Sequence, residues 1–269
     1  MKSSRVLVQK NQFSSLVLYN DWFYGAYRKH THELMIPRTD SPIGENPALI
    51  VVDAQQGGGD TDHPMYSDAG SVDGGREAIM ENIDTVVEHA RDADIPIIWG
   101  KELHRQDFVD YGAELESCEP EHGLYGSESE QIHETLSFDE SEMNPAEYVV
   151  VKRRYNFFHR TDLEHILSSY DIDTVILVGF MTNICVHYTA HGAHEHDYAF
   201  RVVEEATGAP TQELHEIGLT CIEYLQPRGL QSLEAVTDGL REYDGNALAQ
   251  RVKETGQLTD ETGPVTVSD

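Results

Sequence analysis

Short apolar runs recur through the middle of the chain, separated by stretches with helical spacing. Ala48–Asp53 is continuously apolar up to a terminal carboxylate, the pattern of a strand buried on both faces. Ile95–Trp99, Tyr148–Val151, Thr174–Gly179 and Tyr198–Val203 read as four more strands, and Leu233–Val236 as a sixth. Between them, Asp73–Arg91 carries Ile79, Ile83, Val86, Val87 and Ala90 close to the helical period. Asp162–Tyr170, with Leu163, Ile166 and Leu167 on one face, Asn183–His194 and Thr211–Leu225 are further helices, and a short one is expected near Gln131–Leu136. Strands alternating with helices predict an α/β fold: a three-layer α/β/α sandwich around a mostly parallel, doubly wound sheet of about six strands.

The edges of the pattern differ from its middle. Residues 1–47 carry Tyr19, Trp22, Phe23, Tyr24 and Tyr27 without strand or helix periodicity, and read as an N-terminal arm. Residues 48–243 form the α/β domain, and the polar residues 244–269 read as a loose tail.

Charge changes the picture more than composition does. Hydrophobic residues make up 39% of 269, enough for a sizeable core. Forty-eight acidic residues against nineteen basic ones leave a formal charge of −29. A chain so acidic repels nucleic acid and anionic membranes, both of which are held by Lys and Arg. The acidic excess is spread along the chain, the pattern of a surface adapted to high salt. No apolar run approaches the roughly 20 residues of a membrane span, no secretory signal is evident at Met1–Gln9, and Cys118, Cys185 and Cys221 form neither a disulfide framework nor a metal knuckle. A cytoplasmic setting is expected.

In a doubly wound sheet, ligands bind beyond the carboxyl ends of the strands. Three reactive side chains fall there: Asp53 after the first strand, Lys152 after the third and Cys185 after the fourth. Their surroundings carry a resemblance. Val178-Gly179-Phe180-Met181-Thr182-Asn183-Ile184-Cys185-Val186 resembles the nucleophile motif of the isochorismatase-like cysteine hydrolases, whose fold is Rossmann-like. Tyr148–Phe158, continued by Thr161-Asp162-Leu163, resembles their lysine segment, and Leu49–Gln55 their aspartate strand. The three motifs stand in the family's order, and the likeness covers roughly Ala48 to Leu225.

The resemblance implies a catalytic trio of Asp53, Lys152 and Cys185. A cysteine at this position implies C–N rather than vinyl-ether hydrolysis. The segment Lys152-Arg153-Arg154-Tyr155, followed by Phe157-Phe158, is similar to the branch acting on ureido or carbamoyl compounds. It further implies an oxyanion hole of the Met181 and Cys185 N–H groups, with a cis peptide at Phe180–Met181. Two departures affect the pocket: Gln56-Gly57-Gly58 stands where the family has Asn-Asp-Phe, and Asn156 where it has serine. Gln56, His104, Tyr155 and Phe158 are the candidate substrate contacts.

The residue types suit the chemistry. Hydrolysing an amide needs a nucleophile, a proton carrier and oxyanion donors. Lys152, together with a helix start capped by Thr182-Asn183, is expected to favour the Cys185 thiolate, while Asp53 shuttles the proton. No cofactor and no metal are assigned. Trp99–His104 does not clearly reproduce the metal set of nicotinamidases, and His187, His191 and His194, on one helical face, have no carboxylate or cysteine partner to complete a site. The expected partner is a small-molecule substrate, in a chain that self-associates as its family commonly does. A nicotinamidase-type or isochorismatase-type hydrolase, and a catalytically silent binding or assembly protein, remain the alternatives.

Overall fold

The structure is a computed structural model that describes residues 40–57, 75–117 and 119–262, with side chains as far as Thr255. The aromatics of the N-terminal arm and Cys118 lie outside the described residues. Six strands form one sheet: β1 (Pro47–Val52), β2 (Ile97–Glu102), β3 (Glu147–Lys152), β4 (Thr174–Phe180), β5 (Ala199–Gly208) and β6 (Leu230–Gln231). They lie in the order β3-β2-β1-β4-β5-β6, every pairing parallel. The helices are α1 (Gly75–Asp92), α2 (Leu163–Ser169), α3 (His187–Glu195), α4 (Gln212–Leu225), α5 (Leu233–Arg241) and α6 (Ala247–Thr262).

The period of two along β1 sends its apolar side chains to opposite faces. Leu49 and Val51 join Ile79, Ile83 and Val87 of α1 and Val236 and Leu240 of α5. Ala48, Ile50 and Val52 join Leu163 and Leu167 of α2, Ala190 of α3 and Ile222 of α4. The sheet is therefore covered on both sides, as its unbroken apolar strands require.

Three expectations are corrected. Leu233–Val236 is the start of α5 rather than a strand: the Ser232 hydroxyl accepts from the Ala235 N–H at 3.2 Å, and Val236 and Leu240 then follow one helical face inward. The sixth strand is the short pair just before it. Gln131–Leu136 is not helical. Ile132 instead forms an antiparallel bridge with Gln55, and the nearby helical turns are 3₁₀, at Gly112–Glu116 and Glu128–Glu130. Of the residues after Asp244, read as a loose tail, Ala247–Thr262 form α6. Asn246 caps it by accepting from the N–H groups of Leu248 and Ala249, each at 2.9 Å, and Ala249 is buried against the core.

Candidate active site

The order of strands reverses between β1 and β4, and a doubly wound sheet opens a crevice at that point. Asp53 follows β1 in a left-handed conformation (φ 47°), its N–H bonded to the Gly100 carbonyl at 3.1 Å. Beside it, Gly179 holds φ +113°, and a Cβ there would lie 2.0 Å from the Val52 carbonyl oxygen. Only glycine allows β4 to approach β1 this closely. The Phe180–Met181 peptide is cis.

Cys185 sits in a five-residue π-helical turn, Thr182–Val186, that runs into α3. The expected cap does not form: the Thr182 hydroxyl is bonded to Nδ1 of the buried His215 at 2.8 Å, which ties the turn to α4.

Lys152 ends β3, two strands from β1, and its long side chain carries the ammonium back to the crevice. Its side chain is buried, with Phe157 beneath it (Nζ 5.1 Å from the ring centroid), and the ring fills the space left by Gly100. Nζ lies 2.8 Å from Asp53 Oδ2 and donates to Cys185 Sγ at 3.3 Å. It also donates to Glu102 Oε2, and that oxygen is 3.6 Å from the sulfur. A carboxyl oxygen of Asp53, one of Glu102 and the Cys185 sulfur all lie within 4.8 Å of one another.

Four ionisable groups packed this closely set each other's proton affinities. Burial, reinforced by the Glu102 charge and opposed by Lys152, raises Asp53 to about 7. Burial also works to raise Glu102, but Lys152, the hydrogen bond from His104 and the nearby His122 together hold it well below the usual carboxylate range. Burial pushes the Cys185 thiol well up, and the pull of Lys152 does not overcome it. The expectation of a resting thiolate is thereby corrected. The ammonium that was to stabilise it is already flanked by two carboxylates, so the thiol rests neutral beside a base of near-neutral affinity.

Cys185 and Asp53 line an open cavity of about 520 Å³, mouth included, together with Gln55, Gln56, Arg76, Glu102, Glu119, His122 and Met181. Of the candidate substrate contacts, Gln56 stands on this wall. His104 does not: it is fully buried, stacked on Tyr111 at 4.0 Å and bonded through Nε2 to Glu102 at 3.3 Å. Phe158 packs on His196 and Tyr198, away from the wall, and Tyr155 meets Tyr188 edge to face, with its hydroxyl 3.4 Å from Glu119.

A grouping missed from the sequence extends inward from the cavity wall at Glu102 and His122. Glu102, His104, Glu114 and His122 are all buried and present ligand atoms within 4.8 Å of one another. Both Glu114 carboxyl oxygens are buried without a hydrogen-bond partner, and burial beside Glu102 raises that group to about 8. Two imidazoles with two carboxylates are a donor set suited to a divalent transition ion. The Glu-x-His spacing at the end of β2 was the available signal, but its partners came from the polar excursion that follows. His187, His191 and His194 belong to no such cluster among the described residues; His191 pairs with Glu195 at 3.5 Å.

Comparison with known proteins shows the family. Residues 47–235 match the model of the isochorismatase domain. The chain is 27% identical over 141 residues to nicotinamidase 3 of Arabidopsis thaliana, covering 52% of this chain and 69% of that protein. It is 29% identical over 182 residues to the ureidoacrylate amidohydrolase RutB of Cronobacter sakazakii, covering 61% and 75%. Among solved structures, a cysteine hydrolase from Pseudomonas syringae pv. phaseolicola shares the fold at a TM-score of 0.64 and 22% identity, over 78% of this chain and all of that one.

Proposed function

The chain belongs to the isochorismatase family, and from that premise we propose that it is a C–N hydrolase, opening an amide bond of a small ureido or carbamoyl compound through a thioester on Cys185. The observation that supports this most is the joint approach of Cys185, Lys152 and Asp53 at a cavity that reaches the sulfur.

The steps follow from the proton affinities. With substrate in the cavity, Asp53 takes the thiol proton as the sulfur attacks the carbonyl carbon, so a strongly basic thiolate is formed only when its target is present. The oxyanion is received by the N–H groups of Met181 and Cys185. Protonated Asp53 hands its proton to the departing nitrogen, the C–N bond breaks, and the acyl group remains on sulfur. Asp53 then deprotonates a water that attacks the thioester, and the thiol is regenerated. Lys152 holds the carboxylate in place and stays charged throughout, raised well above its ordinary affinity by Asp53, Cys185 and Glu102 against the effect of burial.

Ammonia release from a panel of N-carbamoyl compounds and nicotinamide, by the intact enzyme and Cys185→Ala, tests the reading. Turnover of the carbamoyl compounds that is lost in the variant is expected. Equal release by both proteins overturns it and favours a catalytically silent member.

One observation favours a second reading. Glu102, His104, Glu114 and His122 would hold a divalent ion, which would offer a substrate lone pair a Lewis-acid contact at the cavity floor, as suits a nicotinamidase-type carboxamide hydrolase. Dialysis against a chelator decides between the two. The ureido reading expects unchanged activity, whereas loss restored by zinc supports the second.

A further inference from the structure

The turn that joins the two oxyanion donors is held from outside the cavity. Met181 precedes it and Cys185 is its fourth residue, and the Met181 carbonyl closes it by accepting from the Ile184 N–H at 3.0 Å and the Val186 N–H at 3.2 Å. Those bonds fix the turn on itself and leave its orientation to its neighbours. One of them is α4. Gly218 lets this helix press on the turn: a Cβ there would lie 2.9 Å from the backbone N and Cα of Asn183 and from the carbonyl carbon of Thr182. Three residues earlier, on the same helical face, His215 meets Thr182 itself, with Nδ1 2.8 Å from the hydroxyl. Both side chains are buried. Thr211 caps the end of α4 on which His215 stands, its hydroxyl accepting from the Leu214 N–H at 3.2 Å.

The contact supplies direction more than attraction. A buried hydroxyl paired with an imidazole stabilises little net, since an apolar pair of the same shape is nearly as stable. What the hydrogen bond adds is a set length and angle at Thr182, which follows one donor directly and leads to the other. An oxyanion is stabilised only where both N–H groups stand about 2.7–3.1 Å from the place its charge develops. A displacement of about 1 Å costs on the order of a hundredfold in rate.

We propose that His215 is a positioning residue for the oxyanion hole: through the Thr182 hydroxyl it sets the spacing of the Met181 and Cys185 N–H groups. It does so without touching the substrate, for neither His215 nor Thr182 stands on the described cavity wall. This rests on the reading of Cys185 as the nucleophile of an amide hydrolase.

Two reagents separate the oxyanion donors from the thiol without knowledge of the substrate. p-Nitrophenyl acetate transfers its acetyl group to the Cys185 sulfur through a tetrahedral oxyanion: a C–S bond forms, the C–O bond to p-nitrophenolate breaks, and the thiol proton passes to Asp53. Iodoacetamide alkylates the same sulfur with loss of iodide and the thiol proton, and no oxyanion forms. Rates of modification at Cys185, resolved from Cys118 and Cys221 by peptide mass, are measured for the intact protein, His215→Leu, His215→Asn and the double variant Thr182→Val with His215→Leu. The ratio of acetylation to alkylation is expected to fall on the order of tenfold or more in His215→Leu and in the double variant. The alkylation rate should stay within about threefold, because the thiol keeps its ionisable neighbours. His215→Asn, whose amide reaches the position of Nδ1, should hold the ratio within about threefold of the intact protein. A ratio unchanged in both leucine variants, or a fall in both rates together, overturns the role of His215 and leaves the hydrolase reading intact. An intact protein whose Cys185 is inert to both reagents contradicts the hydrolase reading itself. Should His215→Leu lose its folded state, as judged by its unfolding transition, the double variant decides, since it leaves no buried hydroxyl at Thr182 without a partner.

Discussion

The ammonium of Lys152 stands 3.3 Å from the sulfur of Cys185, and yet the thiol is harder, not easier, to ionise than a free cysteine. Burial dominates, and the carboxylates of Asp53 and Glu102 occupy the same ammonium. The site therefore stores its proton on sulfur and its readiness in Asp53.

A base with an affinity of about 7 gives the pH dependence a definite sign. Asp53 must be ionised to accept the thiol proton, so kcat/KM should fall as pH drops below about 7, by roughly tenfold per unit once protonation is complete. A rate independent of pH between 5 and 8 contradicts this assignment of the base.

Glu102 adds to the elevation of Asp53 through its negative charge. Glu102→Gln removes that charge and leaves Lys152 to act on Asp53 alone, so the acidic limb of the pH–rate profile should move to lower pH. Profiles of the two proteins measured side by side check the direction; a limb that stays put or moves up excludes the coupling.

Gly179 is expected to tolerate no side chain. A Cβ there would sit 2.0 Å from the Val52 carbonyl oxygen at φ +113°, forcing β1 and β4 apart where the site is built. Gly179→Ala should cost about 3 kcal/mol or more of stability, read as a lowered denaturation midpoint. An unchanged midpoint would show that the strands yield more easily than their geometry implies.

The fold was largely legible because β1, β2 and β4 are buried on both faces, and β1 and β4 read as unbroken apolar runs, the strongest signal a parallel sheet leaves. Asp53, Lys152 and Cys185 could be placed at strand ends from that pattern together with the family resemblance. Glu102 and His122 could not be brought to them, since Glu102 closes a strand otherwise read only as far as Trp99 and His122 lies in a polar stretch whose path is set by turns. The helix α6 was missed because its polar composition conceals a buried anchor at Ala249 and a cap at Asn246.

Scattered acidic charge with a net −29 predicts a salt response. The temperature of unfolding should rise from dilute buffer into molar salt as self-repulsion is screened. A flat titration contradicts the reading of the surface as salt-adapted.

The central claim is a covalent acyl intermediate on one sulfur. Intact-protein and peptide mass spectrometry of enzyme quenched during turnover of a ureido acid should find the acyl mass on the peptide containing Cys185, and none in Cys185→Ala. Turnover that proceeds with Cys185 unmodified at every quench time, or that survives in Cys185→Ala, would contradict the account.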